Sequence, residues 1–217
     1  MKHIKLFENF DTKSIDDICV RYNINDYTIN DDGSIDVEGD VALANKGLDK
    51  LPLKFRKVTG YFGCCENKFT SLEGCPEYVG GDFDCEDNLL TNLIGSPNYI
   101  GGSFTCRYNM LTSLEGSPNH VGSYFEIRNN GIKSLKGLNT NIGTKLYADY
   151  KLKIIYDILK DDLECIDNFY EFHILDNLEY EKPTLNLKRL NKFIDLYDLN
   201  ELSEDNLSDI KKYYNVI

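Results

Sequence analysis

The chain of 217 residues has no run of 18 apolar residues, so no segment is long enough to cross a bilayer as a helix. Met1 to Phe10 lacks the apolar stretch and small-residue cleavage site of a secretory signal. Basic residues are scarce: 24 Lys and Arg against 36 Asp and Glu leave a net charge of −12. That balance argues against a nucleic-acid binder, which needs a basic face. The three histidines (His3, His120 and His173) are scattered. H-E-x-x-H, G-x-S-x-G, a Walker loop and a dinucleotide fingerprint are all missing, which removes the enzyme classes those motifs announce. The seven cysteines are odd in number, clustered, and form no C-x-x-C pair. Neither a disulfide scaffold nor a zinc site is expected from them, and a reducing cytoplasm is the expected location.

The charge is unevenly spread. Residues 1–39 hold 4 basic and 9 acidic side chains, residues 40–149 hold 11 and 12, and residues 150–217 hold 9 and 15. Two acidic ends flank a nearly neutral middle, which divides the chain into three segments.

The middle repeats. At an offset of 21 residues it aligns with itself without a gap. Val41, Phe62, Phe83, Phe104, Phe125 and Leu146 share one column, and Leu43, Cys64, Cys85, Cys106, Ile127 and Ala148 the next. Asn67, Asn88, Asn109 and Asn130 follow, then Leu48, Phe69, Leu90, Leu111 and Ile132. Leu51, Leu72, Leu93, Leu114 and Leu135 close the unit, and Val58, Val79, Ile100, Val121 and Ile142 open the next. A fixed period with fixed apolar columns is the signature of a solenoid, in which each unit buries its face against its neighbours. The period-two alternation Val79, Gly81, Phe83, Cys85 predicts one short strand per unit with these side chains inward. The repeated asparagine is expected to satisfy backbone groups where the chain leaves that strand. Pro76, Pro97 and Pro118 exclude a helix on the outer side.

These columns make Cys64, Cys85 and Cys106 small hydrophobes of the core. Cys65 falls on the other side of the strand, as a partly exposed thiol. The unit F-x-C-x-x-N-x-L resembles the L-x-L-x-x-N-x-L core of the short leucine-rich repeats of bacteria and their viruses. "DYTINDDGSIDVEGDVAL" and "LNLKRLNKFIDLYDLNE" resemble segments that flank such repeats in bacteriophage proteins. The resemblance covers residues 39–149 and implies an α/β-type leucine-rich-repeat solenoid with a parallel sheet on its concave face. Lys46, where the asparagine is expected, and Asn139, where a proline is expected, depart from the pattern in the end units.

Residues 1–38 read as an N-terminal helix and hairpin that cap the array. Ser14-x-x-Asp17 resembles a capping box, with Ile15, Ile18, Cys19 and Tyr22 on one helical face. Asp31-Asp32-Gly33 separates two strand-like stretches as a hairpin turn. In residues 150–217 helical spacing takes over, at Leu152, Ile155 and Leu159, then Leu187, Leu190, Ile194 and Tyr197, then Leu207 and Ile210, giving a helical C-terminal cap.

What remains for function is the outward face of the repeat strands. One turn presents Asp82, Asp84, Glu86 and Asp87. Thr105, Arg107 and Tyr108 come next, then Tyr124, Glu126 and Arg128, with Tyr61 before and Tyr147 after them. Tyrosine and arginine are enriched at binding hot spots, so these twelve residues are the expected site of a protein partner. Tyr124 and Arg128 are expected to project free of the core. The four acids of one turn lack the loop pattern of a calcium site, and no metal, cofactor or membrane is expected. The resemblance implies no single activity; the missing catalytic motifs and this face point to a non-enzymatic binding module, with a phage inhibitor of a host or defence protein as the expected role. Three other readings are carried: an acidic mimic of nucleic acid, a virion-packaged phage protein, and a ligase-like effector. Met1 to Phe10 resembles leaders that direct tailed-phage proteins into the prohead, with Leu6-Phe7-Glu8 as a processing site. Cys165-Ile166-Asp167 resembles the C-x-D of bacterial effector ubiquitin ligases, although the 68-residue tail is short for that catalytic domain.

Overall fold

The computed structural model describes residues 12–160, 163, 169, 174–176, 182–197 and 199–217. The Leu6-Phe7-Glu8 and Cys165 readings lie outside the described residues. The repeat region winds into a parallel-strand solenoid of about five turns. Paired strands of successive turns are in register at a separation of 21 residues, as Phe62 with Phe83 and Phe83 with Phe104.

Each turn contributes two strands, where the sequence pattern predicted one. A six-stranded sheet is built from β3 (Val41–Ala42), β5 (Phe62–Gly63), β7 (Phe83–Asp84), β9 (Phe104–Thr105), β11 (Tyr124–Glu126) and β13 (Lys145–Tyr147). A seven-stranded sheet holds β1 (Tyr27–Ile29), β2 (Ile35–Val37), β4 (Phe55–Val58), β6 (Tyr78–Val79), β8 (Tyr99–Ile100), β10 (His120–Val121) and β12 (Asn141–Ile142). The alternation from Val79 to Cys85 is therefore not one strand. The chain turns a corner at Gly80-Gly81, and Val79 and Phe83 belong to different sheets. The cause is close backbone approach. A Cβ placed on Gly80, Gly101, Gly122 or Gly143 would lie 2.1, 2.3, 2.1 or 2.0 Å from a carbonyl oxygen of the preceding turn. Only glycine fits such a corner.

The core is the set of columns read from the sequence. Phe62, Phe83, Phe104 and Phe125 are fully buried. Their rings pack in sequence at centroid distances of 5.5, 5.3 and 4.7 Å. Cys64, Cys85 and Cys106 lie beside them, equally buried and unbridged. Residues 60–140 contain no helix.

The asparagine column binds turns to one another as well as closing its own turn. Asn88 Nδ2 donates to Cys85 O and Glu86 O of its own turn, and to Cys64 O of the turn before, at 3.2, 3.2 and 3.1 Å. Its Oδ1 accepts from Phe69 N of that preceding turn at 3.0 Å. Asn109 and Asn130 repeat the arrangement on Leu90 N and Leu111 N. Each asparagine therefore serves the turn before it, and Asn67 accepts from Lys46 N and Leu48 N. Lys46 heads the series and has no earlier turn of this kind to serve, so no asparagine is required there.

Ahead of the array, helix α1 spans Thr12–Tyr22, and β1 and β2 form an antiparallel hairpin whose β2 pairs in parallel with β4. The helix starts two residues before Ser14, so Ser14 lies in its first turn and is not the cap expected from the sequence. Ile15 and Cys19 are buried as the periodicity required. After the array come α2 (Tyr150–Leu159), α3 (Leu187–Leu196) and α4 (Glu204–Tyr213). Asn186 caps α3 through Arg189 N, and Ser203 with Asn206 forms a capping box on α4. A three-stranded sheet of β14 (Leu175–Asp176), β15 (Thr184–Leu185) and β16 (Asn215–Val216) joins these helices. An all-helical reading of this segment missed it, because two-residue strands carry no periodicity. Among the described residues no helix is long and apolar enough to cross a membrane.

Candidate functional site

In-register stacking determines what the outward face of the six-stranded sheet presents. Asp84 pairs with Thr105, Thr105 with Glu126, and Glu126 with Tyr147, so these four side chains form one line across the strands. Tyr124 pairs with Lys145 beside that line. Glu86, Arg107 and Arg128 follow two residues later in their turns. Eight of the twelve expected residues line a single open groove of about 500 Å³: Asp84, Glu86, Thr105, Arg107, Tyr124, Glu126, Arg128 and Tyr147. The structure places the other four around it, in turn-forming roles. Asp82 Oδ1 accepts from Ser103 N at 2.6 Å at the next corner. Tyr61 folds its ring over Gly63, where a Cβ would come within 2.1 Å of the Tyr61 hydroxyl. Asp87 and Tyr108 stand in the left-handed region, at φ 52° and 53°.

That left-handed column runs through Asn45, Glu66, Asp87, Tyr108 and Asn129, immediately before the asparagine ladder. Asparagine and aspartate tolerate this conformation because their short polar side chains can bond locally, whereas tyrosine or glutamate is strained by roughly 1–2 kcal/mol. The strain at Glu66 and Tyr108 lies beside the groove, where such outliers tend to gather.

Two arginines are held in place by the face itself. Arg107 Nε donates to Glu86 Oε2 at 2.5 Å, and its guanidinium lies 5.5 Å from the Tyr108 ring centroid. Arg128 grips Glu126 with two bonds of 2.8 and 2.6 Å and lies 5.2 Å from the centroid of Tyr147. Glu126 is only 5% exposed. Arg128 is itself exposed, as expected, but the Glu126 carboxylate that it pairs with is buried. Removal of Arg128 would strand that charge, which costs far more than losing a surface ion pair.

Cys65 also differs from expectation. It is 9% exposed, against the outer thiol predicted from strand alternation. Tyr61 closes over this end of the sheet, its ring lying across Gly63. Burial first, and the Asp84 charge second, push the Cys65 thiol up to about 12. Burial likewise raises Asp84 above the usual carboxylate range, reinforced by Glu86 and opposed by the Glu86 N–H that donates to it at 3.0 Å. A thiol held protonated in this way is a poor nucleophile. Ordered arginines, tyrosines and carboxylates on one sheet face are groups that recognise a ligand non-covalently.

Reading the sequence for one face missed the other. On the seven-stranded sheet Tyr78, Tyr99 and His120 stack at 5.0 and 4.8 Å, with Lys57 lying 5.9 Å from the Tyr78 centroid. The signal was present, since these residues share the period and directly precede the valine column. Lys153 of α2 adjoins the end of the first face, lining a second hollow of about 330 Å³ with Arg128, Lys145 and Tyr147. Nothing in the repeat predicted that neighbour. Among the described residues, no group of three or more His, Cys, Asp or Glu is placed to hold a metal ion.

No family model matches this chain, and neither a curated protein nor a solved structure matches it.

Proposed function

We propose that this chain is a non-enzymatic protein-binding module of the short leucine-rich-repeat type. In this reading it recognises a protein partner through the outward, concave face of the six-stranded sheet. Helix α1 with the β1–β2 hairpin closes one end of the array, and the helical segment after β13 closes the other. The observation that carries the reading is the single groove in which tyrosines brace arginines over carboxylates, in residue types that dominate binding hot spots. Ion pairing and ring contacts fix these side chains beforehand, which lowers the entropy lost on binding. The strand followed by an inter-turn asparagine supports the repeat type. The resemblance to bacteriophage proteins supports a role in binding and blocking a host or defence protein inside a bacterium.

Affinity capture from bacterial lysate with the wild-type chain and with Tyr124→Ala/Arg107→Ala, followed by calorimetry on the captured protein, tests this. Arg107 is preferred to Arg128 because its partner Glu86 is not buried. Loss of binding by a few kcal/mol in the variant is expected for a hot-spot pair. Full binding by the variant refutes the surface. Steep loss of wild-type binding with added salt, together with indifference to the variant, favours an acidic mimic of nucleic acid over this reading.

A further inference from the structure

We infer that the outer edge of β3 takes an extended segment of a protein partner as an added strand, with a large apolar side chain opposite Ala42. This site lies beyond the groove and does not depend on it.

The two ends of the six-stranded sheet are finished differently. At one end β13 runs into α2, which packs against it. At the other end β3 is the last strand, and the β1–β2 hairpin extends only the seven-stranded sheet. β1 pairs with β2, which shares a turn with β3, so β1 stands one strand farther out and leaves β3 recessed. Val41, Leu43 and Asn45 donate their N–H groups to Tyr61 O, Gly63 O and Cys65 O of the next turn. Successive residues of a strand direct their backbone groups to alternate edges, so those of Ala42 and Ala44 point out of the sheet. Neither residue has a backbone hydrogen-bond partner among the described residues. Ala42 is exposed and Ala44 half-buried. Open edges are usually blunted by charge or proline. Val41 to Asn45 carries neither, although Asp40 and Lys46 stand at its two ends.

These groups select the occupant. A helix keeps its own backbone groups bonded, so an extended chain is what answers a row of free N–H and C=O groups. The recess beside β1 is one strand deep, about 4.8 Å, the spacing at which such a chain pairs. Main-chain bonds supply affinity in this mode, and alternate side chains supply specificity. Ala42 pairs in register with Gly63, and the ring of Tyr61 lies across Gly63. Two small residues therefore stand between an added strand and that ring. A long apolar or aromatic side chain opposite Ala42 leans over both to reach it, in the manner of a cross-strand pair. The added strand also prolongs the line through Ala42, Gly63, Asp84, Thr105, Glu126 and Tyr147, and so continues the proposed binding face.

A random peptide display library is the probe, selected on the full chain and counter-selected on Ala42→Pro. That substitution removes no internal hydrogen bond, and its ring blocks the edge. By fluorescence anisotropy, enriched peptides should bind Ala42→Pro roughly tenfold more weakly, the scale of one lost backbone bond with a steric block. They should bind Tyr124→Ala/Arg107→Ala as tightly as wild type. N-methylation of alternate peptide residues should abolish binding in one phase and spare it in the other, and a large apolar residue should recur at one fixed position. Amide exchange followed by NMR needs no variant: Ala42 and Ala44 should exchange fast in the free chain and become protected when the peptide saturates, with Leu43 slow throughout. Equal effects of the two N-methylation phases, unprotected Ala42 and Ala44 in the complex, or no enriched peptide at all overturn the inference. Peptides that need Tyr124 and Arg107 but not the edge overturn it and leave the groove standing. Protection of Ala42 that grows with concentration of the free chain puts a second copy in the slot, and overturns the partner segment.

Discussion

Replacing Asn88 by alanine measures what holds one turn to the next. Asn88 is 5% exposed and makes four hydrogen bonds. The acceptors it serves are not all abandoned when it goes. Cys64 O still accepts from Asn67 at 3.0 Å, Cys85 O from Asn109 at 3.0 Å, and Glu86 O from Glu66 N at 3.0 Å. Phe69 N is different: its bond to Asn88 Oδ1 has no substitute, and Phe69 is 1% exposed. A buried orphan donor costs about 1–3 kcal/mol, and the lost bonds add roughly 1 kcal/mol more. Asn88→Ala should therefore destabilise the chain by about 2–4 kcal/mol, seen as a fall in melting temperature of roughly 5–15 °C by circular dichroism. Asn67→Ala is the comparison: the donors it serves, Lys46 N and Leu48 N, belong to exposed or half-buried residues that water can reach, and its one buried loss is the 2.9 Å bond to Leu43 O, a carbonyl and not an N–H. It should cost about half as much. A loss under about 1 kcal/mol for Asn88→Ala, or equal losses for the two, would refute the orphan-donor argument.

Three further outcomes are expected. Cys85→Val, which preserves volume in an apolar column, should change stability by less than about 1.5 kcal/mol in a urea titration; a larger loss would mean that the sulfur has a role beyond packing. Tyr108→Asn should raise stability by about 0.5–1 kcal/mol by relieving the left-handed strain, while weakening any ligand of the face; a less stable variant would show that the tyrosine's contact with Arg107 outweighs the strain. Cys65 holds its proton more tightly folded than unfolded, from near 9 up to about 12, so its contribution to stability is complete below pH 9 and is lost as pH rises toward 12. The half-buried Tyr61 hydroxyl, also raised by burial, acts in the same direction. The melting temperature should fall between pH 9 and 11, less steeply in Cys65→Ala, and coincident profiles would refute the assignment.

The core was legible because its columns are apolar at a fixed period of 21 residues. Phe83, Cys85, Leu90 and Leu93 are buried to completion, as their columns required. The corner at Gly80-Gly81 was not legible, since alternation continues through it: an inward residue before the bend and an inward residue after it look like one strand. The depth of Cys65 was hidden for a related reason. Alternation places it outward, but Tyr61 folds over Gly63 and closes that end, a contact between neighbours that no period records. The groove emerged because register in a parallel stack is set by the repeat, so equal offsets become adjacent side chains. Its internal pairing did not. That Glu126 sinks to 5% exposure under Arg128 while Glu86 keeps more contact with solvent depends on local packing. The Lys46 departure, by contrast, acquires a reason only from the direction of the asparagine bonds.

That direction has a consequence for how the chain is made. The groups that satisfy Phe69 N, Leu90 N and Leu111 N lie 19 residues farther along, in Asn88, Asn109 and Asn130. While a ribosome is still adding residues, the newest turn therefore always carries a backbone donor whose acceptor has not yet been synthesised. Each turn is locked only when its successor emerges, so the array closes vectorially from its N-terminal end, one rung behind synthesis. A ribosome stalled within the repeats would leave one incomplete rung at the growing end, with finished turns behind it.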